Sequence, residues 1–239
     1  MENARIALVT GANRGIGLEI ARQLTGAGVR VIIGARDRDR ARAAVEALAS
    51  DGLAAETVRL DLADPESIAA AAREIETRHG RLDILVNNAG IFDFADGPPG
   101  KAAIDAVRRT MEINFIGTLA VTQAMLPLLR AAPTGRIVNL SSALGSLTLG
   151  SDPGSTYYAQ QFIGYNASKA ALNMLTVGLT AELRDTAIKV NSVSPGFVKT
   201  DLTGHGDMTP EEGARLPVRY ALGGEDCGRF VEPGGATPW

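Results

Sequence analysis

Apolar residues recur along this chain in two rhythms. Short continuous runs rich in Val, Ile and Leu, bounded by Gly, Asp or Asn, read as buried strands: Ile6 to Val9, Val29 to Gly34, Val58 to Leu60, Leu82 to Val86, Gly135 to Leu140 and Ile188 to Val193. Arg229 to Val231 reads as a last, edge strand. Between the strands, apolar positions return every three or four residues, as on one face of a helix: Ile16, Ile20 and Leu24 early on, and Leu172, Leu175, Leu179 and Leu183 within Tyr165 to Arg184. Asp37 is placed to cap a helix over 38–50, and Asp64-Pro65 opens another that runs to about His79. Residues 101–131 are expected to be mostly helical, with Pro127 in the final turns. Leu144 to Ile163 and Leu202 to Tyr220, broken by glycines and prolines, read as irregular. Strands alternating with helices at this spacing imply parallel pairing through right-handed crossovers. The expectation is an α/β chain with one doubly wound parallel sheet of about seven strands and helices on both faces, forming a single domain over 1–239.

Composition narrows the function classes. The chain has 239 residues, 45% of them hydrophobic, enough for a full core. A net charge of −3 with interspersed signs argues against a nucleic-acid partner. The opening M-E-N-A-R-I-A-L-V-T lacks the apolar region of a signal peptide, and no run is read as approaching the roughly 18 apolar residues of a membrane span. The one cysteine, Cys227, cannot close an intrachain disulfide and reads as a small strand residue; a cytoplasmic location follows. His79 and His205 have no ligand-spaced neighbours, so no metal site is expected.

The chemistry gathers at strand ends. After the first strand comes T-G-A-N-R-G-I-G, Thr10 to Gly17, and then a helix. Glycines let the backbone approach a pyrophosphate, and a helix N-terminus offers free N–H groups. The second strand ends in Ala35, where an acid would bind the ribose of NAD; Arg36 follows, and with Arg14 it can flank the 2′-phosphate of NADP. Asp37 keeps an NAD reading open. The third strand leads to Asp61, the fourth to Asn87-Asn88-Ala89-Gly90, and Asn114 lies among apolar neighbours, where a buried amide needs partners. Ser141 and Ser142 follow the fifth strand, and P-G-F-V-K-T, Pro195 to Thr200, follows the sixth. Within Y-N-A-S-K, Tyr165 and Lys169 stand one helical turn apart on one face. The ammonium favours phenolate and is expected to pull the tyrosine down from its ordinary value of about 10.

Taken together, these motifs resemble the short-chain dehydrogenase/reductase family, from about Arg5 to the C-terminus. The match comprises the glycine turn, N-N-A-G, Asn114, Ser142, Tyr165-x-x-x-Lys169 and P-G-x-x-x-T. The resemblance implies a Rossmann-type fold and a set of roles. Tyr165 would be the acid/base, Lys169 would tune it and bind the nicotinamide ribose, Ser142 would hold the substrate carbonyl, and Asn114 would steady a water leading to Lys169. Gly11, Asn13, Arg14, Gly15, Ile16, Gly17 and Arg36 would bind the cofactor. Asp61 and Leu62 would flank its adenine, Asn88, Ala89 and Gly90 would line it, and Pro195, Gly196, Val198 and Thr200 would hold its nicotinamide and pyrophosphate end. Arg14, G-A-R-D after the second strand and the long Ser142–Tyr165 spacing are most similar to the carbonyl-reductase branch. That implies NADP(H), a small-molecule carbonyl or alcohol substrate, and a monomer or homodimer rather than a tetramer. Segments 144–163 and 197–220 would face the substrate, with Tyr157, Tyr158 and Phe162 lining the cleft. An NAD-dependent alcohol dehydrogenase of the same fold, and a non-catalytic cofactor-binding protein, are the alternatives.

Overall fold

A computed structural model describes residues 4–239; the first three residues of the 1–239 domain lie outside the described residues. Eight strands form one sheet in the order β3-β2-β1-β4-β5-β6-β7-β8. They are β1 (Ile6–Thr10), β2 (Arg30–Ala35), β3 (Ala55–Arg59), β4 (Ile84–Asn87), β5 (Arg136–Leu140), β6 (Lys189–Val193), β7 (Phe230–Glu232) and β8 (Gly235–Ala236). Pairing is parallel throughout except for the short β8, which folds back antiparallel on β7 and adds one strand to the expected seven.

Period-two alternation builds a core on each face. Along β1, Ala7 and Val9 point into one cluster, and Ile6 and Leu8 into the other. The first cluster is covered by α1 (Gly15–Gly26), α2 (Arg38–Ser50) and α8 (Pro210–Leu222). The second is covered by α3 (Pro65–His79), α5 (Thr118–Arg130) and α7 (Ile163–Glu182). As expected, the Asp37 and Asp64 carboxylates cap α2 and α3, each accepting two backbone N–H groups. Sequence order runs outward from β1 to β3, then crosses to β4 on the other side of β1. The carboxyl ends of β1 and β4 therefore diverge into a crevice, the place where such sheets bind ligands.

Three expectations change. Leu202 to Tyr220 is not irregular throughout, because α8 occupies its second half. Thr209 and Glu212 form a reciprocal capping box with Pro210 in the first turn. Gly213 and Pro217 read as breakers, yet α8 persists because Ala214, Val218 and Ala221 are buried in the core. Cys227 lies in the turn before β7 rather than in a strand, its Sγ accepting from the Val190 N–H at 3.4 Å. Finally, Ile104–Arg130 is long and apolar enough to match a membrane span by composition. Its Val121, Met125, Leu128 and Leu129 are instead packed into the second core cluster.

This long helical run consists of α4 (Ile104–Met111), a π-helical turn over Glu112–Gly117, and α5. The π turn widens the backbone where Asn114 sits, and such bulges recur at functional sites. Gly117 brings the run against the chain after β3: a Cβ there would lie 2.5 Å from the Leu62 carbonyl oxygen. Gly178, in α7, has nothing within 4 Å of its would-be Cβ. Gly117→Ala should therefore destabilise the fold by about 1–3 kcal/mol through overpacking. Gly178→Ala should stabilise it by roughly 0.5–1 kcal/mol. Denaturant midpoints of the two variants check the contrast, and equal shifts would refute the packing argument.

Candidate active site

At the crevice, the β1–α1 turn is held open by its own chemistry. Gly11 and Gly15 have φ of 65° and 56°, a region that favours glycine. A Cβ on Gly11 would meet the Ala89 Cα at 2.9 Å, and one on Gly17 would meet the Asn88 amide nitrogen at 2.4 Å. The Thr10 hydroxyl accepts the N–H groups of Asn88 and Ala89 at 3.0 and 2.9 Å, and Asn88 Nδ2 donates to the Thr10 carbonyl at 2.8 Å. Two strand ends are thus knitted into one floor. Unlike α2, α3 and α8, α1 receives no side-chain cap: Arg14 at its N-cap position makes none. Its first N–H groups face the cleft with the positive end of the helix dipole behind them. A glycine cradle with an uncapped helix start fits a dinucleotide pyrophosphate.

The cleft has a volume of about 1150 Å³. Its lining takes Gly11, Asn13, Arg14, Gly15, Ile16 and Gly17 from the turn, and Arg36, Asp61 and Leu62 from the β2 and β3 ends. From the far side come Asn88, Ala89 and Gly90, then Tyr165, Lys169, Pro195 and Thr200. Two expected cofactor residues sit otherwise. Val198 is buried and packs against Gly213 of α8, and Gly196 sits under Met208 and Pro233. The segment bends back there, with Lys199 N donating to the Met208 carbonyl, so these two support the wall rather than face the cleft. Sequence reading missed Arg40, in the first turn of α2 four positions after Arg36, which also lines the cleft. Asp37 caps α2, accepting from the Asp39 and Arg40 N–H groups at 3.0 and 3.1 Å; the Arg40 N–H holds its carboxyl below the ordinary range. Arg14 pairs across the cleft with Asp201 at 2.7 Å, both exposed.

Tyr165, half-buried, stands where α7 meets the end of β5. The Ser142 hydroxyl lies against the phenol, and Ser142 Oγ also accepts from the Leu144 N–H at 3.2 Å. Ser141, its neighbour, turns away to donate to Asn173 at 2.6 Å. Lys169 is buried at 6% exposure, and its Nζ donates to the Leu140 carbonyl at 2.8 Å while lying 5.6 Å from the Tyr165 ring centre. The expectation of a lowered tyrosine does not hold in this structure. Burial pushes the phenol up to about 12, against a smaller lowering by Ser142. Burial also brings Lys169 down to about 8. The ammonium is directed at Leu140 rather than at the phenol, so desolvation decides both groups.

Asn114 lies at 1% exposure on the π turn. Its Oδ1 accepts from the Ile91 N–H at 2.8 Å, and its Nδ2 donates to the Ile91 carbonyl at 2.9 Å and to the Ser168 hydroxyl at 3.0 Å. The side chain clasps the strand-β4 loop to α7. Phe92, also missed in the sequence, meets the Tyr165 ring edge-on at 5.6 Å and Phe162 at 5.0 Å. Tyr157, Tyr158 and Phe162 are not on the cleft lining among the described residues. Tyr157 donates to Glu232 at 3.1 Å, tying the 146–162 connection to β7. That connection also contains a short helix, α6 (Leu147–Ser151). Among the described residues no cluster of His, Cys, Asp and Glu could hold a metal ion.

Comparison with known proteins identifies the family and the fold. A family model described as short chain dehydrogenase matches residues 5–209. The short-chain dehydrogenase anuI of Penicillium roqueforti is 38% identical, over 95% of this chain and 93% of that protein. Carbonyl reductase [NADPH] 1 of Mus musculus is 33% identical, over 98% of each. The crystal structure of NADPH-bound carbonyl reductase from chicken fatty liver superposes with a TM-score of 0.85 at 33% identity, covering 99% of this chain and 100% of that one.

The buried ammonium carries a stability consequence. A lysine at about 8 in the fold and about 10.4 unfolded binds fewer protons when folded between those pH values. The folded state therefore bears the cost of the buried charge below pH 8 and is relieved of it as pH rises toward 10.4. Lys169→Met should raise stability at pH 7 by about 1–2 kcal/mol, the charge penalty less the lost hydrogen bond. That advantage should shrink through the window from pH 8 to 10.4. Chemical denaturation at pH 7 and pH 10 measures it, and a gap independent of pH would contradict the desolvation reading.

Proposed function

This chain belongs to the short-chain dehydrogenase family, and on that premise we propose that it reduces ketones or aldehydes with NADPH, Tyr165 donating the proton. The observation that carries this is one continuous cleft, running from the uncapped start of α1 to Tyr165 with Ser142 against its phenol. NADPH, when bound, supplies hydride to the carbonyl carbon. The protein's part is orientation and one proton. Gly11, Asn13, Gly15, Ile16 and Gly17 offer the pyrophosphate a backbone surface; Asp61 and Leu62 stand at the adenine end, with Ala89, Gly90, Pro195 and Thr200 farther along.

Burial keeps the phenol protonated at neutral pH but also makes it a weaker acid than free tyrosine, so the reading rests on the contact between its hydroxyl and Ser142 at the cleft and not on its pKa. The Ser142 hydroxyl beside it can hydrogen-bond the same carbonyl oxygen, polarising it and fixing the distance to Tyr165. Lys169, whose Nζ donates to the Leu140 carbonyl and lies 5.6 Å from the ring centre, has to turn toward the phenolate to stabilise it once the proton has left. Asn114 keeps α7 and the β4 loop in register, so its side chain acts through position. Within 197–220, Lys199, Asp201 and Leu202 reach the cleft, Asp201 through its ion pair with Arg14. Within 144–163, Phe162 approaches Tyr165 through Phe92. We place the enzyme in the cytoplasm, as a monomer or homodimer.

Cofactor choice follows from charge. Arg14, Arg36 and Arg40 surround the adenosine end, and the Asp37 carboxylate is engaged by backbone N–H groups. NADPH should therefore drive turnover of a panel of carbonyl compounds better than NADH. Arg36→Ala should weaken NADPH binding by about ten- to a hundredfold, the range of one charge-assisted hydrogen bond, and NADH binding far less. Titration of both cofactors at one ionic strength is the check. A parent protein that prefers NADH would reject the assignment.

A further inference from the structure

The helix that carries Tyr165 begins without a side-chain cap of its own, since Phe162 occupies its N-cap position. Its first N–H groups are nevertheless satisfied, by residues more than 65 positions earlier in the chain. Ile163 N donates to the Gly97 carbonyl at 3.0 Å. Gly164 N donates to Asp96 Oδ1 at 3.0 Å and Tyr165 N to Asp96 Oδ2 at 2.8 Å, so one carboxylate spans two successive amides. The same Oδ1 accepts from the Gly97 N–H at 2.8 Å, fixing the carboxylate's own orientation.

We propose that Asp96 is a positioning residue for the proton donor: it seats the backbone of Tyr165 and so fixes the phenol relative to Ser142 and Lys169. This rests on the reading of Tyr165 as that donor. The segment from which Asp96 projects is anchored independently. Ile91 is clasped by Asn114, Phe92 packs its edge on the Tyr165 ring, and the Asp93 carboxylate takes two hydrogen bonds from Arg109 at 2.9 and 2.6 Å. The segment begins at Asn88 to Gly90, on the cofactor cleft. One stretch of chain thus lines the cofactor at its start and holds the acid/base residue at its end. Gly164 is required by the same contact: a Cβ there would lie 3.1 Å from Asp96 Oδ2 and 3.0 Å from the Val107 Cα. Charge-assisted bonds to a helix start are stronger than neutral ones, and the helix dipole adds to them.

Asp96→Asn keeps the shape but turns an NH₂ group toward one of the two amides. Amide hydrogen exchange and steady-state kinetics on the full chain test the idea. The expected result is exchange about ten- to a hundredfold faster at Gly164 and Tyr165, with Leu172 to Leu179 still protected. For a ketone that the parent reduces, kcat should fall by about ten- to a hundredfold while KM for NADPH stays put, because only the proton donor is displaced. Gly164→Ala, which pushes on the same carboxylate, should reproduce both effects. Unchanged exchange at those two amides, or faster exchange with unchanged kcat, would overturn the proposal. A purely structural contact would instead lower protection along the whole of α7 and raise KM together with any loss in kcat. A parent protein that reduces no carbonyl compound would sink the reading of Tyr165 as donor, and the exchange result would still decide whether Asp96 seats that residue.

Discussion

The arrangement depends on one buried hydrogen bond, from the Lys169 ammonium to the Leu140 carbonyl at the end of β5. Placing a charge at 6% exposure is costly, and the charge is kept only because the fold gives it a fixed acceptor. That bond docks α7 against the sheet end at one height. Gly145 lets the backbone after β5 press onto it, since a Cβ there would lie 2.6 Å from the Lys169 carbonyl carbon. Tyr165, one turn earlier, is thereby delivered to Ser142. The pair that resembles a catalytic motif in sequence is, physically, a docking bond that leaves a protonated phenol at the mouth of a cofactor cleft.

A second polar layer keeps that height constant. Asn87 at the end of β4 donates to Asn139 of β5 at 2.8 Å and to Thr122 of α5 at 3.0 Å. Asn139 donates to Thr176 of α7 at 2.8 Å, and Thr176 meets Ser192 of β6 at 2.8 Å. These groups are buried. Buried polar chains of this kind are costly when incomplete and rigidifying when paired. This one links β4, β5 and β6 to α5 and to α7, the helix of Tyr165, and leaves one buried atom, Asn87 Oδ1, without a partner.

Much of this was legible in the sequence, for reasons particular residues make clear. Strands showed because parallel strands buried on both faces are continuous apolar runs, as at Val31 to Ile33. Caps showed because Asp37 and Asp64-Pro65 act on their own neighbours in the chain. The glycine turn and the Tyr165–Lys169 spacing showed for the same local reason. What failed was non-local. Helix α8 survives Gly213 and Pro217 through tertiary burial. The ionisation of Tyr165 follows from the direction of the Lys169 amine, which spacing does not fix. Phe92 and Asp96 act on a helix some seventy residues away, and nothing near them in the chain announces it. Arg40 could have been found, since it lies in the first turn of α2, close behind the Arg36 that ends the β2 motif.

The central claim is that the Tyr165 hydroxyl supplies the proton, with the cofactor held by the rest of the cleft. Its most direct measurement is Tyr165→Phe, assayed for NADPH-driven carbonyl reduction and for NADPH binding in the same preparation. The ring and its edge contact with Phe92 remain, and only the hydroxyl is lost. The account predicts turnover reduced by about 10²–10⁴-fold with NADPH affinity unchanged. A variant that retained turnover close to the parent's would contradict it.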